Sequence, residues 1–402
     1  MGRTLRVVMF SWEYPPRVVG GISPHVYYLS KSLAKNSVDV YVVTCDFPGA
    51  PSREIVDGVH VLRIDSYKNP APDFATWIYL MNMNMRKEAA ALIRSLNGEV
   101  DILHAHDWLV ASATIGLKHI FRIPLIATIH STEFGRRNGI HTDYERMIHE
   151  TERWLTYEAW KVVCCSNYMI SHVAWVFGVP SDKLVMIPNG VNIADFQISF
   201  NKEEFRRRYA LPEEKLVLFV GRLVYEKGAQ VLVEAIPKVL SKVNAKFVIV
   251  GDGYMRNPLL KRVHEMGLTH KVLFTGFVDD WTLKRLYNCA DVCVVPSLYE
   301  PFGITALEAM ASKAPLVVSD TGGLSEIVEH DHSGVKVYVN NSDSLAWGIT
   351  RILLDPAHAE TLKENAFQKV MREYDWNGIS VRLRQLYSLV HEEYLRGSWK
   401  PK

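Results

Sequence analysis

Apolar positions along this chain come in two alternating textures. Short runs rich in Val, Ile and Leu are nearly continuous at residues 5–11, 39–44, 59–64, 101–105, 124–129, 161–165 and 183–187. Between several of them, at 23–35, 77–96, 108–119 and 143–160, apolar residues return every three or four positions. The first texture predicts strands buried on both faces and the second predicts amphipathic helices. Alternation of the two predicts parallel sheets covered by helices. The pattern restarts at Lys215, with strands predicted at 216–221, 246–251, 271–275, 291–296 and 316–319, and a last helical pattern occupies 379–395.

Between the two blocks stands the break Pro188-Asn189-Gly190, which puts a domain boundary near residue 193. The 402 residues also exceed the length, about 250–300 residues, at which one hydrophobic core stops growing. The expected fold class is α/β, with two Rossmann-like doubly wound domains at 1–193 and 194–378, followed by a helical segment at 379–402. In such sheets ligands bind beyond the carboxyl ends of the strands, so a site is expected in a cleft between the domains.

Composition narrows the chemistry only by exclusion. Forty-six basic against 44 acidic side chains leave +2, which gives no overall attraction to nucleic acid or to acidic membranes. An anionic ligand must therefore be met by local charge. No run approaches the roughly 18 apolar residues of a spanning helix. The run at 5–12 contains Arg6 and ends in Glu13-Tyr14-Pro15-Pro16, so it reads as a buried strand rather than a secretory signal. Arg86, Lys87 and Arg94 on the helix at 77–96 are accompanied by Glu88 and Ala89 to Ala91, the pattern of an ordinary surface helix rather than a membrane-lying one. The five cysteines lie in apolar segments and read as buried thiols. A cytoplasmic protein without stable membrane insertion is expected, and its oligomeric state is left open.

Three loops have a composition suited to chemistry. Gly20-Gly21 end the loop after the first strand and open a helix, a setting in which backbone N–H groups can meet an anion. Gly221-Arg222 to Lys227-Gly228 carries a guanidinium and an ammonium able to neutralise a diphosphate from two sides. The third, Glu300-Pro301-Phe302-Gly303-Ile304-Thr305-Ala306-Leu307-Glu308, follows a strand and begins a helix. The amides of Phe302, Gly303, Ile304 and Thr305 then lie at the positive helix end. Glu300 and Glu308 are each able to accept two hydrogen bonds from a vicinal diol, and beside a diphosphate they need Arg222 and Lys227 as counter-charges. His104, His106 and Asp107 have the donor types of a metal site, but no Cys or further His follows at ligand spacing, so no metal is expected.

Taken together, these segments resemble the retaining glycosyltransferases of the GT-B fold, particularly family 4. The two glutamates separated by seven residues, the Gly-Arg-Leu…Glu-Lys-Gly loop, Pro188-Asn189-Gly190-Val191 and Val250-Gly251-Asp252-Gly253 all match. The resemblance implies that Arg222 and Lys227 bind the donor diphosphate, Glu308 the ribose and Glu300 the transferred sugar. It also implies that the last helix crosses back onto the first domain. Trp12-Glu13-Tyr14-Pro15-Pro16, His104-Ala105-His106-Asp107-Trp108 and Ile129-His130-Ser131-Thr132-Glu133-Phe134-Gly135-Arg136 are similar to α-glucan synthases of the glycogen synthase and maltose 1-phosphate type. By that resemblance His130 contacts the donor sugar and Asp107 helps position donor or acceptor. Gly251, Tyr254 and Phe277 are expected around the base. The implied activity is transfer of a hexosyl unit, in the first instance glucose, from ADP-glucose or UDP-glucose to a saccharide or sugar-phosphate acceptor, with no cofactor. A nucleotide-sugar epimerase and a family 4 transferase acting on a lipid or other small acceptor are the alternatives.

Overall fold

In the computed structural model, residues 4–68 and 70–399 are described; the outermost positions of the expected domains, 1–3 and 400–402, lie outside them. The chain divides into two units, Met1–Asn189 with Trp376–Lys402, and Gly190–Asp375. The first crossing thus falls four residues before 193 and the second at Trp376 rather than 379.

Eight strands build the sheet of the first unit: β1 Arg6–Phe10, β2 Asp39–Cys45, β3 Arg53–Val56, β4 Val59–Ile64, β5 Ile102–His106, β6 Leu125–Ile129, β7 Lys161–Cys164 and β8 Leu184–Met186. Their order is β3-β4-β2-β1-β5-β6-β7-β8. Every pairing is parallel except β3 with β4. The strand β3 is absent from the expectation above because its residues alternate exposed and half-buried instead of forming an apolar run. Its signal was the turn Asp57-Gly58, whose φ values of 51° and 83° are those of a tight hairpin.

The core of this unit joins Val7, Met9, Val40, Val42, Ile102 and Ile126 from the sheet to Trp376, Leu383, Tyr387 and Val390. Those last four lie on the helix Trp376–Arg396, which packs against the helix Ile22–Lys35. Ile379, Leu383 and Val390 are almost wholly buried, each worth roughly 1.5–3 kcal/mol over exposure. Polar contacts fix the register: Asn36 Nδ2 donates to Ser380 Oγ at 2.8 Å, and Trp160 Nε1 to Glu393 Oε2 at 2.7 Å.

The second unit contains β9 Lys215–Val220, β10 Ala245–Val250, β11 Val272–Gly276, β12 Val292–Val295, β13 Leu316–Ser319 and β14 Val335–Val337. All pair in parallel, in the order β11-β10-β9-β12-β13-β14. Three residues long, β14 is too short to register as a run. Val217, Phe219, Phe247, Ile249, Val292 and Val317 face helices at Ala229–Leu240 and Ser342–Leu354 in one continuous core. The strand order reverses between β9 and β12 here, and between β1 and β5 in the first unit. At such reversals the loops leaving adjacent strands diverge to opposite faces and open a crevice for ligands.

No helix among the described residues is long and apolar enough to cross a membrane. The five cysteines are buried and form no disulfide there.

Candidate functional site

At the reversal point of the second unit, the loop after β9 lies against the loops after β12 and β10, and each close approach is made at a position where only glycine fits. A Cβ on Gly228, at φ 72°, would stand 1.9 Å from the carbonyl oxygen of Pro296. One on Gly251, at φ 122°, would stand 2.0 Å from that of Gly221. With the backbones this close, the Leu298 N–H donates to the Glu226 carbonyl at 2.8 Å. Lys227 Nζ then reaches Glu300 Oε2 at 2.7 Å, and Ser297 Oγ donates to the same oxygen at 3.0 Å. Glu300 is buried, so its charge needs both partners. Arg222 stays exposed, 3.6 Å from Glu226. One cation of the loop is therefore fixed and the other stands at the surface.

Gly303 starts the helix Ile304–Ala311 at φ 121°, where a Cβ would meet Leu324 at 2.6 Å. No side chain caps this helix. Its first-turn amides at Ile304 and Thr305 are thus not taken by a cap, and they add a positive pole beside the Lys227–Glu300 pair. The ring of Phe302 is buried against Tyr374, centroids 6.0 Å apart, so Phe302 offers a ligand only its backbone. Glu308 accepts from the Tyr287 hydroxyl at 2.7 Å. Burial raises its carboxyl to about 7, against the lowering effect of that hydrogen bond. Beyond the ends of β10 and β11 Tyr254 and Phe277 are 63% and 79% exposed. Tyr254 is held by the Tyr225 N–H, which donates to its hydroxyl at 2.9 Å.

The first unit assembles a different set of groups. The expected contact of Gly20 with an external anion needs correction. Its N–H donates to Glu13 Oε2 at 2.9 Å, and the Val19 N–H to the same oxygen at 2.6 Å. Glu13 is buried, and these amides supply the hydrogen bonds that a buried carboxylate requires. The Gly20 amide is therefore engaged within the protein.

Asp107, directly after β5, is buried at φ 63° and accepts the His130 N–H at 2.9 Å. Burial raises its carboxyl to about 6, with Arg136 and the His130 and Ser131 amides opposing. The segment after β6 is latched by Arg136, which donates to Glu133 at 2.7 Å and to Glu152 at 3.3 Å, and also bonds Ser131. Glu152 in turn accepts the Glu133 N–H, and burial pushes its carboxyl to about 8. His130, half-buried, is held to His106 at 3.2 Å between Nε2 and Nδ1. Burial lowers His130 to about 4. His104 does not point at Asp107: its nitrogens are engaged by Tyr387 at 2.6 Å and Thr128 at 2.7 Å.

The site residues expected from sequence thus fall into two groups. Arg222, Lys227, Gly251, Tyr254, Phe277, Glu300, Phe302 to Thr305 and Glu308 surround the strand ends of the second unit. Gly20, Gly21, Asp107 and His130 follow β1, β5 and β6 of the first. Four residues escaped the sequence reading: Glu13, His25, Tyr287 and Ser297. Ser297, three residues before Glu300, was within reach of the motif; Tyr287 lies on the separate helix Asp280–Cys289 and left no local signal.

Two doubly wound sheets in tandem, each with a reversal-point crevice and the second pairing Lys227 with Glu300 there, are those of a GT-B glycosyltransferase. Comparison with known proteins agrees. Residues 201–369 match the family described as glycosyl transferases group 1, and residues 19–195 match glycosyltransferase family 4. An uncharacterized glycosyltransferase of Methanocaldococcus jannaschii is 42% identical over 96% of this chain and 99% of its own. The glycogen synthase of Mycobacterium tuberculosis is 33% identical over 95% of this chain and 94% of its own. The solved sucrose-phosphate synthase of Thermosynechococcus elongatus superposes with a TM-score of 0.82 at 25% identity, covering 97% of this chain and all of that one. The chain belongs to the family 4 glycosyltransferases and resembles glycogen synthase. These transferase relatives do not favour the epimerase alternative.

Proposed function

We propose that this enzyme moves a glucosyl unit from ADP-glucose or UDP-glucose to a saccharide or sugar-phosphate acceptor, with retention of the anomeric configuration and without a metal ion. The observation that carries the donor assignment is the Lys227–Glu300 pair beside the uncapped helix Ile304–Ala311. In a nucleoside diphosphate sugar the distal phosphate and the sugar are adjacent, so neighbouring groups must serve both. Lys227, Arg222 and the amides of Gly303, Ile304 and Thr305 take the diphosphate, Glu300 the sugar hydroxyls, and Glu308 the ribose diol. Tyr254, Phe277 and Gly251 accept the base. In the first unit, Asp107 and His130 carry the sugar- and acceptor-side roles, as neutral groups at physiological pH in the case of His130.

As the bond from the anomeric carbon to the phosphate oxygen breaks, negative charge grows on the diphosphate. Groups that stabilise this charge more than that of the ground state lower the barrier. The acceptor hydroxyl bonds to the anomeric carbon on the face the phosphate leaves, and its proton passes to the leaving phosphate oxygen. No double displacement of the retaining-glycosidase kind is invoked.

The test is nucleotide release from ADP-glucose, UDP-glucose and GDP-mannose against glycogen, glucose and glucose 1-phosphate, with and without EDTA. Acceptor-dependent release from a glucose donor, unaffected by EDTA and giving an α-linked product by NMR, is expected. Donor turnover that needs no acceptor, or a β-linked product, would contradict the proposal.

A further inference from the structure

The first unit holds a cluster of imidazoles that the single His106–His130 hydrogen bond accounts for only in part. His25 from the helix Ile22–Lys35, His106 at the end of β5 and His130 after β6 each offer one ring nitrogen within 4.8 Å of the others. His25 packs edge-on against His130, centroids 4.6 Å apart, and against His106 at 5.4 Å. Both nitrogens of buried His25 and Nε2 of buried His106 have no hydrogen-bond partner. The Asn189 side chain approaches His25, yet its buried Oδ1 also has no partner. Orphaned buried donors and acceptors are costly, typically about 1–3 kcal/mol each, and the two on His25, beside two further imidazoles within reach, call for a guest.

A water molecule would satisfy part of this set, but the donor types favour something else. Imidazole nitrogens suit zinc and similar divalent transition ions. Tetrahedral zinc, with bonds of about 2.0–2.1 Å to nitrogen, separates its ligand atoms by about 3.4 Å. The 3.2 Å between His106 Nδ1 and His130 Nε2 is already near that edge. Half-buried His130 provides the side open to entry.

We propose that His25, His106 and His130 form a binding site for one divalent transition-metal ion of the zinc class, held mainly by imidazole nitrogen. The ion is not a catalytic cofactor. It competes for His130, so its binding shuts off whatever His130 does for transfer; this consequence, unlike the site itself, rests on the function proposed above.

The experiment titrates the untagged full-length chain with Co²⁺, reading the visible bands of a four-coordinate ion, then displaces it with Zn²⁺. One equivalent bound is expected. His25→Phe should weaken binding at least about hundredfold, since even second-sphere changes cost 10–100-fold. It should leave metal-free transfer unchanged, because His25 has no role in the reaction proposed. Should His25→Phe not fold, as judged by its melting transition, His106→Gln is read in its place, for binding only. Absence of a saturable four-coordinate spectrum in the natural chain overturns the proposal, as does unaltered affinity in a folded variant. Zn²⁺ inhibition of the natural chain and not of His25→Phe supports the competition. Binding without inhibition upholds the site and removes His130 from the reaction.

Discussion

The two units solve the reversal-point problem with opposite electrostatics. In the second unit, Lys227 and Glu300 form an ion pair, Arg222 lies at the surface, and the first turn of the neighbouring helix is uncapped. In the first, His25, His104, His106 and His130 are driven toward neutrality by burial, and Asp107 is pushed up to about 6. One surface presents charge and the other presents neutral hydrogen-bonding groups. A nucleoside diphosphate sugar is built the same way, with a charged phosphate part and an uncharged sugar. The contrast shows that two similar sheets can carry opposite electrostatics at the same topological position.

The most severe challenge to this contrast is Lys227→Ala. It removes the fixed cation and leaves Glu300 unpaired, and kcat/KM in the nucleotide-release assay should fall on the order of 10²–10³-fold, the size of an oxyanion-type contact. Turnover near that of the natural enzyme would end the charged-surface assignment. Gly251→Ala comes next: its Cβ cannot coexist with the Gly221 carbonyl, and positive φ adds strain. A loss of roughly 3 kcal/mol in urea unfolding is expected.

Acid titration probes the first unit. His104 falls to about 3 and His130 to about 4 in the folded chain, below the value near 6.5 of an unfolded histidine. The unfolded chain therefore binds more protons between those values, and stability present above about pH 6.5 is lost as pH falls toward 4. Asp107, Glu152 and Glu308, raised to about 6, about 8 and about 7, act in the opposite sense and by a comparable amount. The informative quantity is therefore the difference between chains: going from pH 7 to pH 5 should be less destabilising for His104→Gln than for the natural chain, read as urea midpoints, and an identical pH response would refute the neutral-cluster description.

A gentler effect is expected at Glu308. Its ionisation near pH 7 creates the acceptor for a ribose diol, so donor KM should drop severalfold from pH 6 to pH 8, and Glu308→Gln should flatten that profile. Smallest of all is Gly20→Ala. Its Cβ would find only Glu13 Oε1, 3.7 Å away and in ordinary contact, so stability should shift by less than about 0.5 kcal/mol. A large loss there would mean the two glycine loops are less different than their contacts indicate.

Most of this architecture was legible in the sequence because buried parallel strands need continuous apolar runs, and the long ones announced themselves. Arg53–Val56 and Val335–Val337 did not, the one being an edge hairpin and the other only a few residues long. The charged site was readable because Arg222, Lys227 and Glu300 sit in or beside loops, where polar residues have no packing reason to recur, and Glu308 lies one turn into the helix that follows. The neutral site was harder. His25 lies in a helix whose other polar positions look alike, and nothing local marks its convergence with His106 and His130. Glu13 looked like a loop acid, while its use of the Val19 and Gly20 amides depends on a turn that spacing alone does not specify.

The helix Trp376–Arg396 has a consequence for how the molecule comes into being. A ribosome releases the chain in order, so β1 to β8 emerge long before the segment that closes over Val7, Val40 and Ile102. Until that segment is made, the first unit lacks the lid of its own core, and buried His104 waits for the Tyr387 hydroxyl. The whole of Gly190–Asp375 is synthesised in the interval. The earliest-made half of the enzyme is therefore the last to be finished.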